Sequence, residues 1–383
     1  MNKCNVCGAQ LSEPIFTSDS RTALTSLCEL RPGQVRVWSC QQCGHLLGDA
    51  MPDTEQYYET DYRILIDQDD EDQIYDVRED KIVYRTDHQV ATLLGKLEMP
   101  HGALLLDYGC AKASTPKRLL DLRPDLQVHL FDVSDMYRTF WDRFVTEERR
   151  AVHEAPAHWQ NRFDVVTSFF ALEHIPAPRK TVENIAGLLS EDGVFYGIVP
   201  DTFGNVADFI VIDHVNHFTT SSLHALLASA GFRDIDIDSA AHRGALVFTA
   251  RKSGQLKKGD DPKACIERSQ TLANYWSGIG KSIQSSEQGN PGKIAIYGSG
   301  FYGAYIFSVL KQPENVRCFL DRSPFQQGKK LFGRPILAPD HLPTEVSVLF
   351  VGLNPAIARE TMAKISWHGH ANLKLVFLDG EMA

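Results

Sequence analysis

The chain has 383 residues, 43% of them hydrophobic and 23% charged, enough for about two or three domains with sizeable cores and too apolar for a disordered chain. Its 39 basic and 49 acidic side chains leave a net charge of −10. That excludes a general nucleic-acid binder, since phosphate contacts need a basic face, and no run approaches the ~18 apolar residues of a membrane helix.

The amino terminus carries two Cys-x-x-Cys pairs, Cys4–Cys7 and Cys40–Cys43. Each pair turns the backbone tightly enough for both sulfurs to reach one ion, so the four thiolates read as a tetrahedral Zn²⁺ site. A four-sulfur site has no open coordination position, and the zinc is therefore expected to be structural. Free thiols in this pattern, with no secretory leader evident, place the chain in the cytoplasm. The other cysteines, Cys28, Cys110, Cys265 and Cys318, are scattered singly. An acidic stretch with Tyr57, Tyr58 and Tyr62 follows as a connector, and apolar residues from Val83 to Leu97 recur at helical spacing.

From Ala103 short apolar strands alternate with amphipathic helices, the pattern of a parallel sheet covered on both faces. Strands are expected at 103–109, 127–133, near 150–154, 163–170 and 193–200, with helices at 114–122, 134–147, 181–189 and 221–230. Two further strands, 232–239 and 244–251, are close enough to pair antiparallel. The polar segment 252–261 marks a boundary. Beyond it come a helix at 265–283, a strand at 293–297, a glycine loop, a helix at 301–310 and strands at 316–320, 346–352 and 373–378.

Two glycine loops carry chemistry. The first strand ends in Leu106-Asp107-Tyr108-Gly109-Cys110, where a glycine lets backbone approach a ligand at the carboxyl edge of the sheet. The second strand ends at Asp132, whose carboxylate can accept both hydroxyls of a ribose or, alternatively, cap a helix beginning near Ser134. The second loop, Gly298-Ser299-Gly300-Phe301-Tyr302-Gly303 with Asp321 downstream, has the form of a dinucleotide fingerprint. Between them, after the fifth strand, Asp213-His214-Val215-Asn216-His217-Phe218 offers an acid–base candidate, because histidine titrates near neutrality.

Taken in order, LDYGC, FDVS, FDVV with LEHIP, and HFTTSSL leading to AGF resemble the class I S-adenosylmethionine-dependent methyltransferases over residues 94–251. The resemblance implies a seven-stranded, Rossmann-like sheet with its last strand antiparallel. It places Asp107 and Gly109 against the methionine part of the cofactor, Asp132 on its ribose and Phe169 along its channel. The glycines usual two and four places after Gly109 are here Ala111 and Ala113.

The order of zinc module and connector (1–80), methyltransferase domain (81–254) and C-terminal Rossmann-like α/β domain (262–383) further resembles the zinc-containing sugar C-methyltransferases that act on nucleotide-linked deoxyketosugars. That resemblance implies His214 as general base with Asp213 as its acidic neighbour, and a nucleotide-linked sugar as partner of the C-terminal domain. A connector tyrosine, Tyr62 ahead of Tyr57 and Tyr58, is expected to donate to the enolate oxygen, the alternative being that these tyrosines pack the zinc module onto the central domain. The family's Glu is Asp213 here, and its usual aromatic is His217. The zinc module is expected to hold the tyrosine-bearing connector over the cleft. O-methylation of a sugar, a nicotinamide-dependent oxidoreductase built on the second glycine loop, and a non-catalytic interaction module stand as alternatives.

Overall fold

The computed structural model describes residues 3–51, 56–58, 72–78, 81–367, 369–370 and 372–379. They fall into two compact units, the first made of Met1–Ile15, Arg36–Asp208 and Ile212–Ser269, the second of Phe16–Val35, Phe209–Val211 and Gln270–Ala383. Among the described residues no helix is long and apolar enough to cross a membrane.

The first unit is built on helix α1 (Arg85–Lys96) and a seven-stranded sheet of β1 (Leu104–Tyr108), β2 (Gln127–Asp132), β3 (Arg150–Val152), β4 (Phe163–Phe169), β5 (Leu189–Pro200), β6 (Asp234–His242) and β7 (Ala245–Arg251). The spatial order is β3-β2-β1-β4-β5-β7-β6. The first five strands are parallel, and β7 runs antiparallel to both β5 and β6. This is the mixed sheet of the class I methyltransferase fold. The order reverses between β1 and β4, where an open α/β sheet leaves a crevice at its carboxyl edge.

Alternation along the strands sends side chains to two separate cores. Leu106, Val166 and Phe195 join one cluster, while Leu105, Val165, Val194 and Tyr196 join the other with α1 residues Val90 and Leu93. Crossover helices α2 (Ser114–Leu122), α3 (Pro178–Leu188) and α4 (Thr220–Ser229) complete the cover. A capping box between Thr219 and Ser222 starts α4, and Pro178 in the first turn starts α3 where its missing N–H costs nothing.

The helix expected over 134–147 is instead a 3₁₀ turn, Asp135–Tyr137, followed by a single helical turn, Arg138–Trp141. Trp141 is fully buried and its indole N–H donates to the Ala111 carbonyl at 2.7 Å. That tertiary anchor, with Asp142 pairing to Arg150, takes the chain out of helical geometry.

The cysteine knuckles belong to this same unit. Cys4, Val6, Trp38, Cys40, Cys43 and Leu47 share a continuous core with Phe218 and Leu223. The knuckle strand Leu46–Gly48 pairs antiparallel on one side with Arg36–Ser39 and on the other with Asn216–His217. The module therefore grips the segment after β5, rather than only the connector.

The second unit contains a hairpin, Thr22–Leu24 with Leu30–Pro32, most of helix α5 (Pro262–Gln288), and strands β8 (Lys293–Tyr297), β9 (Val316–Leu320), β10 (Lys330–Leu331), β11 (Arg334–Leu337), β12 (Val346–Val351) and β13 (Lys374–Phe377), with helices α6 (Phe301–Val309) and α7 (Pro355–Ala363). The sheet order is β10-β11-β9-β8-β12-β13, parallel except for the β10–β11 hairpin. The sequence pattern misses β10 and β11, because these short strands flank a turn and carry a Pro and two charged residues.

Candidate active site

Three of the four positions expected to hold a cofactor sit at the carboxyl ends of β1, β2 and β4, and Gly109 begins the loop after β1. Gly109 has φ 77°, a conformation glycine adopts freely, and a Cβ there would lie 2.8 Å from Ala171 Cβ. Ala111 and Ala113 stand where glycine is usual, yet they keep the left-handed backbone, with φ 44° and 60°. The loop shape survives the loss of both glycines at a cost of about 1–2 kcal/mol per residue.

Asp132 is buried, and burial pushes its carboxyl upward despite N–H bonds from Ala111 at 2.7 Å and Ser134 at 3.1 Å. The Ser134 contact is the cap-like alternative, and the Ala111 contact ties the same carboxylate to the glycine-loop backbone. Asp107 is also buried, pushed by burial up to about 7, and accepts from Thr167 Oγ1 at 2.7 Å. Phe169, half-buried, packs its ring 5.9 Å from that of Tyr196. Two buried carboxylates beside an open-backbone loop have the donor and charge complement of S-adenosylmethionine, whose ribose supplies hydroxyls and whose sulfonium is cationic.

A second cluster follows β4 and β5. His214 is 8% exposed, and its Nδ1–H donates to Asp208 Oδ1 at 2.6 Å. Asp208, fully buried, also accepts at Oδ2 from Thr202 Oγ1 at 2.7 Å and His217 Nδ1 at 3.1 Å. Burial works against this carboxylate's charge, but His217 and His214 hold it well below the usual range. Burial likewise opposes the charged form of His214, and Asp208, Asp213 and Glu173 outweigh it, carrying the imidazole up to about 9.

The carboxylate that touches His214 is thus Asp208. Asp213 turns toward His174, with Oδ2 3.8 Å from Nδ1, and the Asp213 carbonyl accepts from that nitrogen at 3.1 Å. Tyr58 Oη lies 2.7 Å from His174 Nδ1 and donates to the same carbonyl at 2.9 Å. Tyr58 is therefore the connector tyrosine that meets this cluster among the described residues. Tyr62 lies outside them.

Glu173 is the group that motif reading leaves unassigned. It sits in the 3₁₀ turn Leu172–His174, is 1% exposed, and is pushed by burial up to about 7 against the pull of His214. Glu173, His174 and His214 present ligand-type atoms within 4.8 Å of one another. Metals use such residue types too, and a proton on His214, which the Asp208 carboxylate favours, would compete with a cation for the imidazole. The turn is fixed from behind: Asn216 Nδ2 donates to the carbonyls of Leu172 and Ile175, both at 2.8 Å, and Asn5 Nδ2 donates to Asn216 Oδ1 at 2.6 Å. Asn5 lies inside the first knuckle, so the cysteine module reaches both halves of the cluster.

The knuckle sulfurs are spaced for one ion. All four lie within 4.8 Å of one another, with Cys4–Cys43 at 3.7 Å and Cys7–Cys40 at 3.5 Å, and none is in a disulfide. A tetrahedron with Zn–S bonds of ~2.3 Å has edges of about 3.8 Å. Ser221 Oγ donates to the Cys43 carbonyl at 3.0 Å, joining this site to the first turn of α4.

In the second unit the glycine fingerprint is packed rather than open. A Cβ on Gly298 would lie 2.4 Å from the Gly352 carbonyl oxygen and one on Gly303 1.9 Å from that of Gly298, whereas Gly300 faces open space. Asp321 accepts from Ser299 N–H at 2.9 Å, Ser299 Oγ at 2.7 Å and Ser323 N–H at 2.9 Å. Asp321 is thus bonded to its own loop, as Asp132 is to the loop after β1.

Comparison with known proteins agrees with the first unit. Residues 79–237 match the family described as "Methyltransferase domain". A C-methyltransferase, NovU of Streptomyces niveus, is 26% identical over 211 residues, covering 48% of this chain and 50% of that protein. The chain thus spans about half the length of the curated relative it matches. Among solved structures, an S-adenosylmethionine-dependent methyltransferase from Mesorhizobium loti is 15% identical with TM-score 0.35, over 43% of this chain and 97% of that one. The CurJ carbon methyltransferase is 14% identical with TM-score 0.36, over 44% and 55%. Over residues 79–237, then, the match to a methyltransferase-domain family coincides with the seven-stranded mixed sheet and its glycine turn.

Proposed function

We propose that this protein is an S-adenosylmethionine-dependent methyltransferase that methylates carbon in a nucleotide-linked deoxyketosugar. The observation that carries the reading is the coexistence, along one edge of one sheet, of the Gly109–Asp132 cradle and the buried acid–base cluster of Asp208, His214, Glu173 and His174. The cofactor supplies an electrophilic methyl group on a sulfonium when bound. Asp107, Gly109, Asp132 and Phe169 are the residues that would hold it.

Methylation of carbon next to a ketone needs a proton removed from that carbon and a steadied enolate oxygen. A cluster holding a carboxylate, a cationic imidazole and a neutral imidazole away from water has the means for both. His214, oriented by Asp208, is its central acid–base group, and Asp213 and Tyr58 orient His174. Tyr62 remains a candidate donor to the substrate oxygen. Simple O-methylation would call for a single base, so the paired groups favour carbon. The identity of the 26% relative as a C-methyltransferase supports the same choice.

In this reading 1–80 is a zinc module and connector, 81–254 the methyltransferase domain and 262–383 a Rossmann-like domain that contributes to nucleotide binding. Structural Zn²⁺ sits on Cys4, Cys7, Cys40 and Cys43 and fixes the Asn216–His217 strand. The test is incubation with methyl-labelled S-adenosylmethionine and nucleotide-linked ketosugars, with isotope mapping of the product. Label on carbon supports the proposal, label on a hydroxyl oxygen supports the O-methyl alternative, and no transfer across sugars refutes the substrate class.

A further inference from the structure

We propose that Glu173 is the proton acceptor of this site and that His214 works in its cationic form, as the hydrogen-bond donor to the substrate oxygen on which negative charge develops. This rests on the carbon-methyltransferase reading and reverses the role expected for His214.

Glu173 Oε2 is buried and has no hydrogen-bond partner among the described residues, although its ligand atom lies within 4.8 Å of those of both His174 and His214. A buried acceptor without a donor is costly, and a bound substrate would relieve that cost. The side chain is not loosely placed, because Asn216 holds the carbonyls on either side of its turn.

Asp208 is the opposite case. It is a fully buried carboxylate with three donors on it, and such a charge requires a compensating cation. The nearest titrating donor is His214 Nδ1 at 2.6 Å. One carboxylate is thus filled and pairs with the His214 imidazole, while the other keeps one buried oxygen, Oε2, without a donor among the described residues.

The surrounding charges agree. Glu173 is faced by His214, Asp208 and Arg85, and His214 by Asp208, Asp213, Glu173 and His174, the last an edge-on ring at 4.7 Å held neutral by burial. With Glu173 near 7 and His214 near 9, the ionised carboxylate and the imidazolium are both the majority forms between those pH values. The reverse assignment would need the minority form of each.

In the step, the C–H bond next to the carbonyl breaks and its proton passes to Glu173. The bond pair becomes the new C=C, and the carbonyl π pair moves to oxygen against His214 Nε2–H. With the cofactor bound, the C=C pair would form the new bond to the methyl carbon as the S–CH3 pair stays on sulfur and the C=O re-forms, and the proton on Glu173 leaves to water.

The test has two arms on the full chain with zinc bound. Nitrogen-15 and carboxyl carbon-13 NMR, assigned with E173Q and H214Q, should show both nitrogens of His214 protonated and Glu173 ionised at pH 8. A neutral His214 beside a protonated Glu173 would overturn the proposal whether or not any sugar is a substrate, as would stoichiometric Mn²⁺ binding that E173Q abolishes. In the second arm, deuterium wash-in next to the ketone of a thymidine-diphosphate-linked 4-ketosugar is followed in D₂O. E173Q should lose about 10²–10⁴-fold in exchange, E173D should recover part of it, and the low-pH limb of the wild-type profile should vanish in E173Q. Unchanged exchange in E173Q would overturn the assignment, whereas absence of methyl transfer by wild type, with the NMR result intact, would refute only the substrate reading.

Discussion

Gly48 offers a way to move the reacting cluster without changing any of its chemical groups. It ends the knuckle strand, donates its N–H to the Val215 carbonyl at 2.9 Å, and leaves no room for a side chain: an added Cβ would lie 2.8 Å from the His214 carbonyl oxygen and 3.3 Å from His217 Nε2. Ordinary contact begins near 3.4 Å, so in Gly48→Ala the segment carrying His214 must retreat by about half an ångström. A 1 Å misplacement costs ~10²-fold in rate, so roughly a 10-fold fall in kcat is expected. Overpacking costs about 1–3 kcal/mol, equivalent to a fall of roughly 2–12 °C in Tm at ~2–4 °C per kcal/mol. The assay is methyl transfer from labelled cofactor under saturating conditions, with calorimetric Kd for S-adenosylmethionine and zinc content measured in parallel. Both should be unchanged, because the cradle at Gly109 and the knuckle sulfurs are not touched. Gly95→Ala, at a helical glycine with nothing within 4 Å of the added carbon, is the control and should match wild type. Wild-type kcat in Gly48→Ala, at any Tm, would refute the claim that the knuckle strand positions His214.

Asp208→Asn keeps the shape but removes the charge that holds His214 protonated, so the His214 pKa should drop from about 9 toward neutrality in a histidine NMR titration, with turnover falling about 10²–10⁴-fold. His214 binds its proton more tightly folded than unfolded, so its contribution to stability is full below about 6.5 and lost as pH rises through about 9. Melting curves of wild type and His214→Gln should therefore converge over that interval, and parallel curves would contradict it. Asp132→Ala should weaken S-adenosylmethionine binding by about 1.5–3 kcal/mol by calorimetry and also lower the melt without cofactor, because the Ala111 and Ser134 N–H groups lose their acceptor. Removing zinc with a chelator, or Cys40→Ser, should lower Tm and turnover together because Cys43 and Gly48 anchor the segment from His214 to Ser221; verified metal loss with full activity would refute this role.

Local pattern carries the fold a long way in this chain. Alternating strands and helices from Ala103 onward specify a covered parallel sheet, since a continuous apolar run such as Leu104–Leu106 is buried on both faces, while Thr220–Ser229 turns Leu223, Leu226 and Leu227 inward. Where a tertiary contact wins, the pattern misleads. The stretch after Ser134 has helical character in sequence, yet Trp141 docks on the Ala111 carbonyl and the helix stops. Ala111 and Ala113 look like departures from a glycine loop until their backbone is seen in the left-handed region.

The candidate site divides in the same way. Cysteine pairs, strand-end Gly109 and Asp132, and the Asp213-His214 segment are legible because they are short-range motifs whose spacing sets their geometry. Which carboxylate serves which histidine is not, because sequence neighbours such as Asp213 and His214 turn to different partners. Asp208 reaches back to His214 across a turn, Asp213 faces His174, and Glu173 lies buried beside both histidines because strand order and the Asn5–Asn216 link bring three separate loops together. The sequence by itself determined the chemical kinds present, four paired cysteines, a glycine turn at the end of the first strand and a histidine after the fifth strand. The tertiary structure alone decided their pairing and proton occupancy, since both depend on desolvation and on distances between residues far apart in the chain.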